Sequence, residues 1–163
     1  INIHAEKQPH LPFLPRFGLV FFLNQGFNQV EYVGYGPTES YLDKHHATAL
    51  GRYKTTPESN HVPYLKPQEN GSHYGCRELK VANSSDCFTV QSDMSFSMNI
   101  SPYSQEELGS KKHQYDLEKS GSTILCVDYK MSGVGSNSCG PALKAQYRLN
   151  ETEWDWAISL QIK

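Results

Sequence analysis

An all-β fold is what this chain predicts, on three observations. Aromatic residues make up 12% of the 163 residues, with ten Tyr and seven Phe, a bias that suits pleated, half-buried surfaces. Long Ala-rich or Leu-rich segments at helical spacing are scarce. Several segments instead alternate apolar and polar residues with a period of two, the mark of a strand with one face on a core. At 37% hydrophobic and 20% charged, the chain has enough apolar surface for one ordinary domain and is too apolar for a disordered one. Residues 1–163 are therefore expected to form a single domain or part of one.

In chain order, Gly18 to Leu23 and Gln29 to Tyr35 predict a hairpin, because the loop between them carries Gly26 among polar residues. Gly36 to Gly71 is dense in Pro, Tyr, His and small polar residues, and Pro37, Pro57, Pro63 and Pro67 are expected to break any regular element there. A surface excursion of that length is uncommon unless it is functional or packed on the rest of the protein. Arg77 to Val81 and Cys87 to Val90 predict strands. Met94, Phe96, Met98 and Ile100 against Ser95, Ser97 and Asn99 predict another with one polar face, and Leu125, Val127 and Tyr129 beside Cys126, Asp128 and Lys130 do the same. Ser104 to Lys112 is the single predicted helix: Ser104 suits the cap, Glu106 and Glu107 the first turn, Lys111 and Lys112 the last. Leu143 to Leu149 and a final alternation of Trp154, Trp156, Ile158, Leu160 and Ile162 complete about eight strands.

Composition excludes several functions. Fifteen Lys+Arg against seventeen Asp+Glu give a net charge of −2 with no run of either sign, so neither a nucleic-acid nor a membrane partner is expected. The longest apolar stretch, Phe17 to Leu23, is far short of the roughly 20 residues a membrane helix needs. Cys76, Cys87, Cys126 and Cys139 show no CxxC and no His in ligand register, so free thiols and a cytoplasmic location are expected. Asn70, Asn83, Asn99 and Asn150 each open an Asn-x-Ser/Thr triplet, read as chance in a serine-rich chain. Ile1 stands where a Met would start a full chain, and the reading expects an excised segment.

Candidate chemistry is sparse. Glu39 with Asp43, Glu69 with Glu78, and Glu106 with Glu107 are possible carboxylate pairs for glycoside hydrolysis. Glu106 and Glu107 also fit a helix start, and Glu69 and Glu78 beside Arg77 and Lys80 fit structural ion pairs. His45-His46 near Asp43 lacks a third ligand at fixed spacing. Cys139 has no base nearby in sequence. The segment from Gly133 to Pro141 reads first as a tight glycine-rich turn, and its Gly, Ser, Asn and Pro residues suit a shaped loop tip.

Five motifs then point to a family. They are Pro15-Arg16-Phe17-Gly18, the run from Gly34 to Asp43, the run from Pro63 to Gly71, Arg77-Glu78-Leu79, and the Gly133 to Pro141 turn. In this order they resemble the C-terminal domain of the large bacterial β-galactosidases, and the small subunit of their two-chain relatives, of glycoside hydrolase family two. The resemblance spans nearly the whole chain. It implies a large twisted antiparallel β-sandwich of the super-sandwich, galactose mutarotase-like kind, packed on a (β/α)₈ barrel that supplies both catalytic glutamates. It implies retaining hydrolysis of terminal β-galactosides such as lactose, with no catalytic residue and no cofactor in this segment; Mg and Na in the parent would be bound by other domains. An oligomeric parent is expected.

By the same resemblance the Gly133 to Pro141 loop reaches the mouth of the active site, which makes Asn137, Ser138 and Cys139 the candidate substrate-binding residues. Some members place a stacking tryptophan there, whereas this loop is one residue shorter and carries Cys139, which cannot stack as an indole does. Arg16, Glu39, Asp43, Glu69, Arg77 and Glu78 are expected in buried or interface ion pairs. Two rival readings stand beside this one. The first is an independent carbohydrate-binding module using exposed Tyr35, Tyr41, Tyr53, Tyr64 and Tyr74; the second is a free-standing small subunit of a two-chain enzyme.

Overall fold

The computed structural model describes residues 1–134 and 141–163. It is an all-β sandwich of two antiparallel sheets with two short helices. Strands β1 (Asn2–Glu6) and β8 (Glu153–Ala157) form the small sheet. The large sheet runs β2 (Arg16–Asn24), β7 (Ser122–Met131), β6 (Cys87–Ser101), β5 (Ser72–Ala82), β3 (Gln29–Gly36), β4 (Ala49–Thr55), with β9 (Ser159–Ile162) also paired to β6.

Alternation carries the core, as the sequence pattern requires. Tyr32, Leu79, Val81, Val90, Phe96, Met98, Ile100, Leu125, Val127 and Trp156 are all almost fully buried in one cluster. Leu19, Phe21 and Leu23 of β2 pack onto it while Val20 and Phe22 face outward. Phe21 meets Phe88 at a 5.2 Å ring separation, and Trp154 receives the edge of Phe17 at 5.0 Å. The first contact links the β2 edge to β6 within the large sheet, and the second ties that edge to the small sheet.

Several expectations need correction. The predicted hairpin does not form: β2 pairs with β7, whereas β3 pairs with β4 and β5. A glycine in a loop reverses the chain, but burial chooses the strand partner, and Phe27 in that connection turns into the core. The two strands expected at Cys87 and Met94 are one long β6, with an irregular register against β5 between Gln91 and Phe96. The final strand divides at buried Ile158, so that β8 pairs with β1 and β9 with β6. Leu143 to Leu149 is no strand; only its buried ends, Leu143 and Leu149, anchor a short 3-10 turn at Ala145–Tyr147.

The proline-rich excursion is more ordered than expected. It contains β4, which lies between Pro37 and Pro57 and so is untouched by either. Helix α1 (Pro57–Asn60) makes a second helix: the Thr56 hydroxyl accepts from the Ser59 amide at 3.0 Å and Pro57 opens the first turn. Helix α2 (Gln105–Ser110) is the predicted one, capped by Ser104, whose hydroxyl accepts from the Glu107 amide at 3.0 Å. It stops before Lys111, which is already extended.

The most consequential correction concerns the face expected to be polar and wet. Ser97, Asn99 and Ser101 of β6 and Cys126 and Asp128 of β7 are buried. The excursion lies over them. Asn60 donates to the carbonyls of Gly71 (2.7 Å) and Ile100 (3.1 Å), and Asn99 donates to the Asn70 carbonyl, which stitches the cover to the sheet.

Candidate functional site

The candidate residues Asn137, Ser138 and Cys139 lie outside the described residues, which include the stem on either side. Beyond β7, Ser132 donates its hydroxyl to the Leu14 carbonyl (2.6 Å) and accepts from the Leu149 amide (2.9 Å). The Gly133 amide donates to the Tyr147 carbonyl at 2.9 Å, and the Val134 amide donates to Asp43 Oδ1 at 3.0 Å. On the return side Arg148 donates to the Leu143 carbonyl at 2.8 Å and sits 5.2 Å over the Phe13 ring. Beside the stem opens a cavity of about 230 Å³ lined by Tyr41, Tyr74, Met94, Tyr129 and Met131 among others.

Beneath this region runs an ionic layer. Arg16 clasps Asp128 with one edge of its guanidinium, Nε donating to Oδ1 at 3.1 Å and Nη2 to Oδ2 at 2.5 Å, and its Nη1 donates to Glu69 Oε2 at 3.2 Å. Gly18 makes this possible, since a Cβ there would lie 2.4 Å from the Val127 carbonyl and 2.5 Å from Asp128 Oδ1. Two carboxylates thus share one guanidinium. Burial pushes the Glu69 carboxyl up to about 7, against the pull of Arg16 and with Asp128 adding to it, and Glu69 Oε1 has no partner among the described residues.

Glu39 is held differently. Burial opposes its charge, but hydrogen bonds from Lys44, Tyr64 and the Gly71 amide outweigh that and keep its carboxyl below the usual range. Asp43 faces the loop stem. Arg77 and Glu78, by contrast, are exposed on β5, where Glu78 meets Arg52 at 2.9 Å. Among the six residues expected in ion pairs, the structure brings Arg16 and Glu69 together with Asp128, which the expectation had not included.

Sequence reasoning also missed His73, which is 1% exposed. Asn60 spends its amide hydrogens on two carbonyls, so its Oδ1 must accept from His73 Nε2–H at 2.7 Å. His73 Nδ1 then accepts from the Tyr32 hydroxyl at 2.9 Å. Burial holds this neutral ring down to about 4, although the Tyr35 carbonyl and Glu39 pull the other way. One signal for this layer was legible: from Ser95 to Ser101 the supposed solvent face of β6 carries only Ser and Asn where Lys or Glu would be ordinary.

His73 and Glu69 give stability opposite pH slopes. The depressed His73 value means that the unfolded chain binds the extra proton, so stability is lost as pH falls from 6.5 toward about 4, by about 3 kcal/mol in all. The raised Glu69 value means that the folded chain binds it, so stability is lost as pH rises from 4.5 through about 7, by a similar about 3 kcal/mol. Relative to the wild type, Glu69→Gln is therefore expected to gain stability with rising pH and His73→Gln to gain it with falling pH. Urea titrations at pH 5 and pH 7.5 check both, and parallel pH profiles for all three proteins would refute the assignment.

Other candidates resolve simply. None of the five tyrosines proposed as an exposed glycan platform is exposed: Tyr41 is buried, Tyr35 stacks on Tyr74 at 5.8 Å, and Tyr53 and Tyr64 are half-buried. Asn70 and Asn99 are buried in hydrogen bonds and cannot carry glycans in the fold. The His45 ring packs at a tilt against Tyr35, Tyr74 and His46. No group of three or more His, Cys, Asp or Glu among the described residues could hold a metal ion. Cys76, Cys87 and Cys126 are free thiols, and burial pushes Cys76 and Cys126 up to about 12.

Comparison with known proteins decides the family. Residues 1–161 match the family described as beta galactosidase small chain. The chain belongs to that family. This small-chain segment is 57% identical over 154 residues to a β-galactosidase of Actinobacillus pleuropneumoniae, covering 94% of the chain and 15% of that protein. It is 40% identical to the Staphylococcus xylosus β-galactosidase over 99% of the chain and 16% of that protein, and 32% identical to the Kluyveromyces lactis β-galactosidase over 98% and 15%. The small-chain segment thus spans about 15% of the length of these relatives.

Proposed function

We propose that this chain serves a β-galactosidase, which hydrolyses terminal non-reducing β-D-galactosides such as lactose with retention, as its C-terminal scaffold and as the donor of one loop to the substrate site. The observation that carries the reading is the match to β-galactosidases along 94% or more of the chain at about 15% of their length. Such a segment works against the rest of a much longer protein, whose barrel supplies the nucleophile and the acid/base carboxylate. The acidic groups of this segment support a structural role: Glu69 and Asp128 are tied to Arg16, and Glu39 to Lys44, Tyr64 and the Gly71 amide.

In this reading Asn137 and Ser138 offer hydrogen bonds to the sugar and Cys139 a small apolar surface, on a stem that the fold holds rigidly. The free Cys76, Cys87 and Cys126 favour a reducing, cytoplasmic setting. Residues 1–163 act as one sandwich domain within the parent. The independent glycan-binding module is the weaker reading, because none of its five tyrosines is exposed.

The isolated chain, its β-sheet signal checked by circular dichroism, is expected to release no nitrophenol from a nitrophenyl β-galactoside above the blank. Turnover abolished by Glu69→Gln or Glu39→Gln would overturn the scaffold reading.

A further inference from the structure

Strand β2 is an anomaly in the large sheet. Phe17, Leu19, Val20, Phe21, Phe22 and Leu23 make it a near-continuous apolar run, of the kind found in strands buried on both faces. None of these residues is buried. Val20 and Phe22 are 54% and 69% exposed on the outer face, and Leu19, Phe21 and Leu23 stay half-buried on the inner one. Their partners across the ladder are covered: Leu125 and Val127 on the inner face, and Ile124 and Cys126 on the outer, are at most 3% exposed. Cover thus stops between β7 and β2 on both sides of the sheet.

The edge is open as well. Among the described residues β2 pairs only with β7, and in an antiparallel ladder alternate residues turn their amide and carbonyl away from the partner. Edge strands are ordinarily protected by charge. At the opposite end of the sheet β4 has that protection, with Arg52 and Lys54 exposed beside Leu50. The single charge of β2 is Arg16, which is already committed to Asp128 and Glu69. An apolar, unpaired edge with two large exposed side chains is a surface on which a further strand docks.

The core points the same way. Two strands, β1 and β8, stand against a sheet of seven, and the inner side chains of β2 lie at the margin of the one hydrophobic cluster the two sheets share. Whatever completes their burial extends this same core. The relatives, of whose length the chain spans about 15%, hold ample polypeptide to supply it.

We infer that β2 is an interior strand of the parent protein: an extended, apolar segment of the same polypeptide, from outside residues 1–163, pairs along its open edge and covers Val20 and Phe22. The inference rests on that part of the proposed function which makes the chain one segment of a longer β-galactosidase. A second copy of the chain, meeting β2 to β2, is the competing occupant.

The test uses the full-length β-galactosidase with the photo-crosslinking aromatic p-benzoylphenylalanine in place of Phe22. Irradiation is expected to give a product of single-chain mass on a denaturing gel, with residue 22 joined to a peptide from outside residues 1–163. A product of two-chain mass would make the occupant a second copy. No product, or a crosslink within residues 1–163, would leave β2 at an edge; each of these results overturns the inference. Residue-resolved hydrogen exchange on the unmodified enzyme keeps the test independent of that substitution. Every β2 amide from Gly18 to Leu23 is expected to exchange within about tenfold of the β7 amides, and a set of alternate amides that exchanges faster overturns the pairing. Turnover of a nitrophenyl β-galactoside by the same preparations reports on the functional reading separately. With the crosslink formed, its absence sinks the β-galactosidase reading and leaves β2 an interior strand, whereas turnover without the crosslink does the reverse.

Discussion

Arg16→Ala is expected to destabilise the fold by about 3–5 kcal/mol at pH 8, because removing one member of a buried ion pair strands the charge that remains. Here two carboxylates would be stranded, Asp128 at 3% side-chain exposure and Glu69 beside it. The loss should shrink at pH 5, where Glu69, already pushed up to about 7, takes a proton and no longer needs the guanidinium. Arg16→Lys is expected to recover only part of the stability, since an ammonium cannot span both oxygens of Asp128 and still reach Glu69. Chemical denaturation at the two pH values checks this. A loss under about 1 kcal/mol at pH 8 would mean that the layer is solvated.

Trp156→Ala is the second large effect. The indole is 1% exposed, lies in the main cluster and faces Tyr129 at 6.1 Å. Truncation leaves a cavity between the small and large sheets and is expected to cost about 3–5 kcal/mol. Trp156→Phe separates volume from polarity. The buried Trp156 Nε1 has no hydrogen-bond partner among the described residues, so replacing the indole gives up no bond and removes an unsatisfied donor. Phe is expected to cost about 1 kcal/mol, well under half of the Ala value. Equal losses for Phe and Ala in thermal or urea unfolding would show that the indole nitrogen does make a bond.

Much of the fold is legible in the sequence because a half-buried strand writes its own pattern. Trp154, Trp156 and Ile158, like Phe96, Met98 and Ile100, are buried as their parity says. Ser104 with Glu107 marks the start of α2 by chemistry local to one turn. The motifs that hold Arg16, Gly18, Glu69 and Gly133 also point to the family before any geometry is considered.

What the sequence by itself determined, then, is the all-β class, the inward-facing residues, the cap of α2 and the β-galactosidase resemblance. All of these are written in composition, in local alternation or in short motifs, and need no knowledge of which segments meet. Tertiary structure alone decided which strands pair, because Gly18 to Leu23 has the same alternation whether it meets β3 or β7 and only the competition for burial settles it. It also decided that the polar face of β6 is dry, since Ser97 and Asn99 become core residues only when Asn60 and Asn70 fold over them from the excursion. And it placed Asp43 against Gly133, a contact no local pattern encodes, because hydrogen bonds between distant segments depend on where the whole chain has brought them.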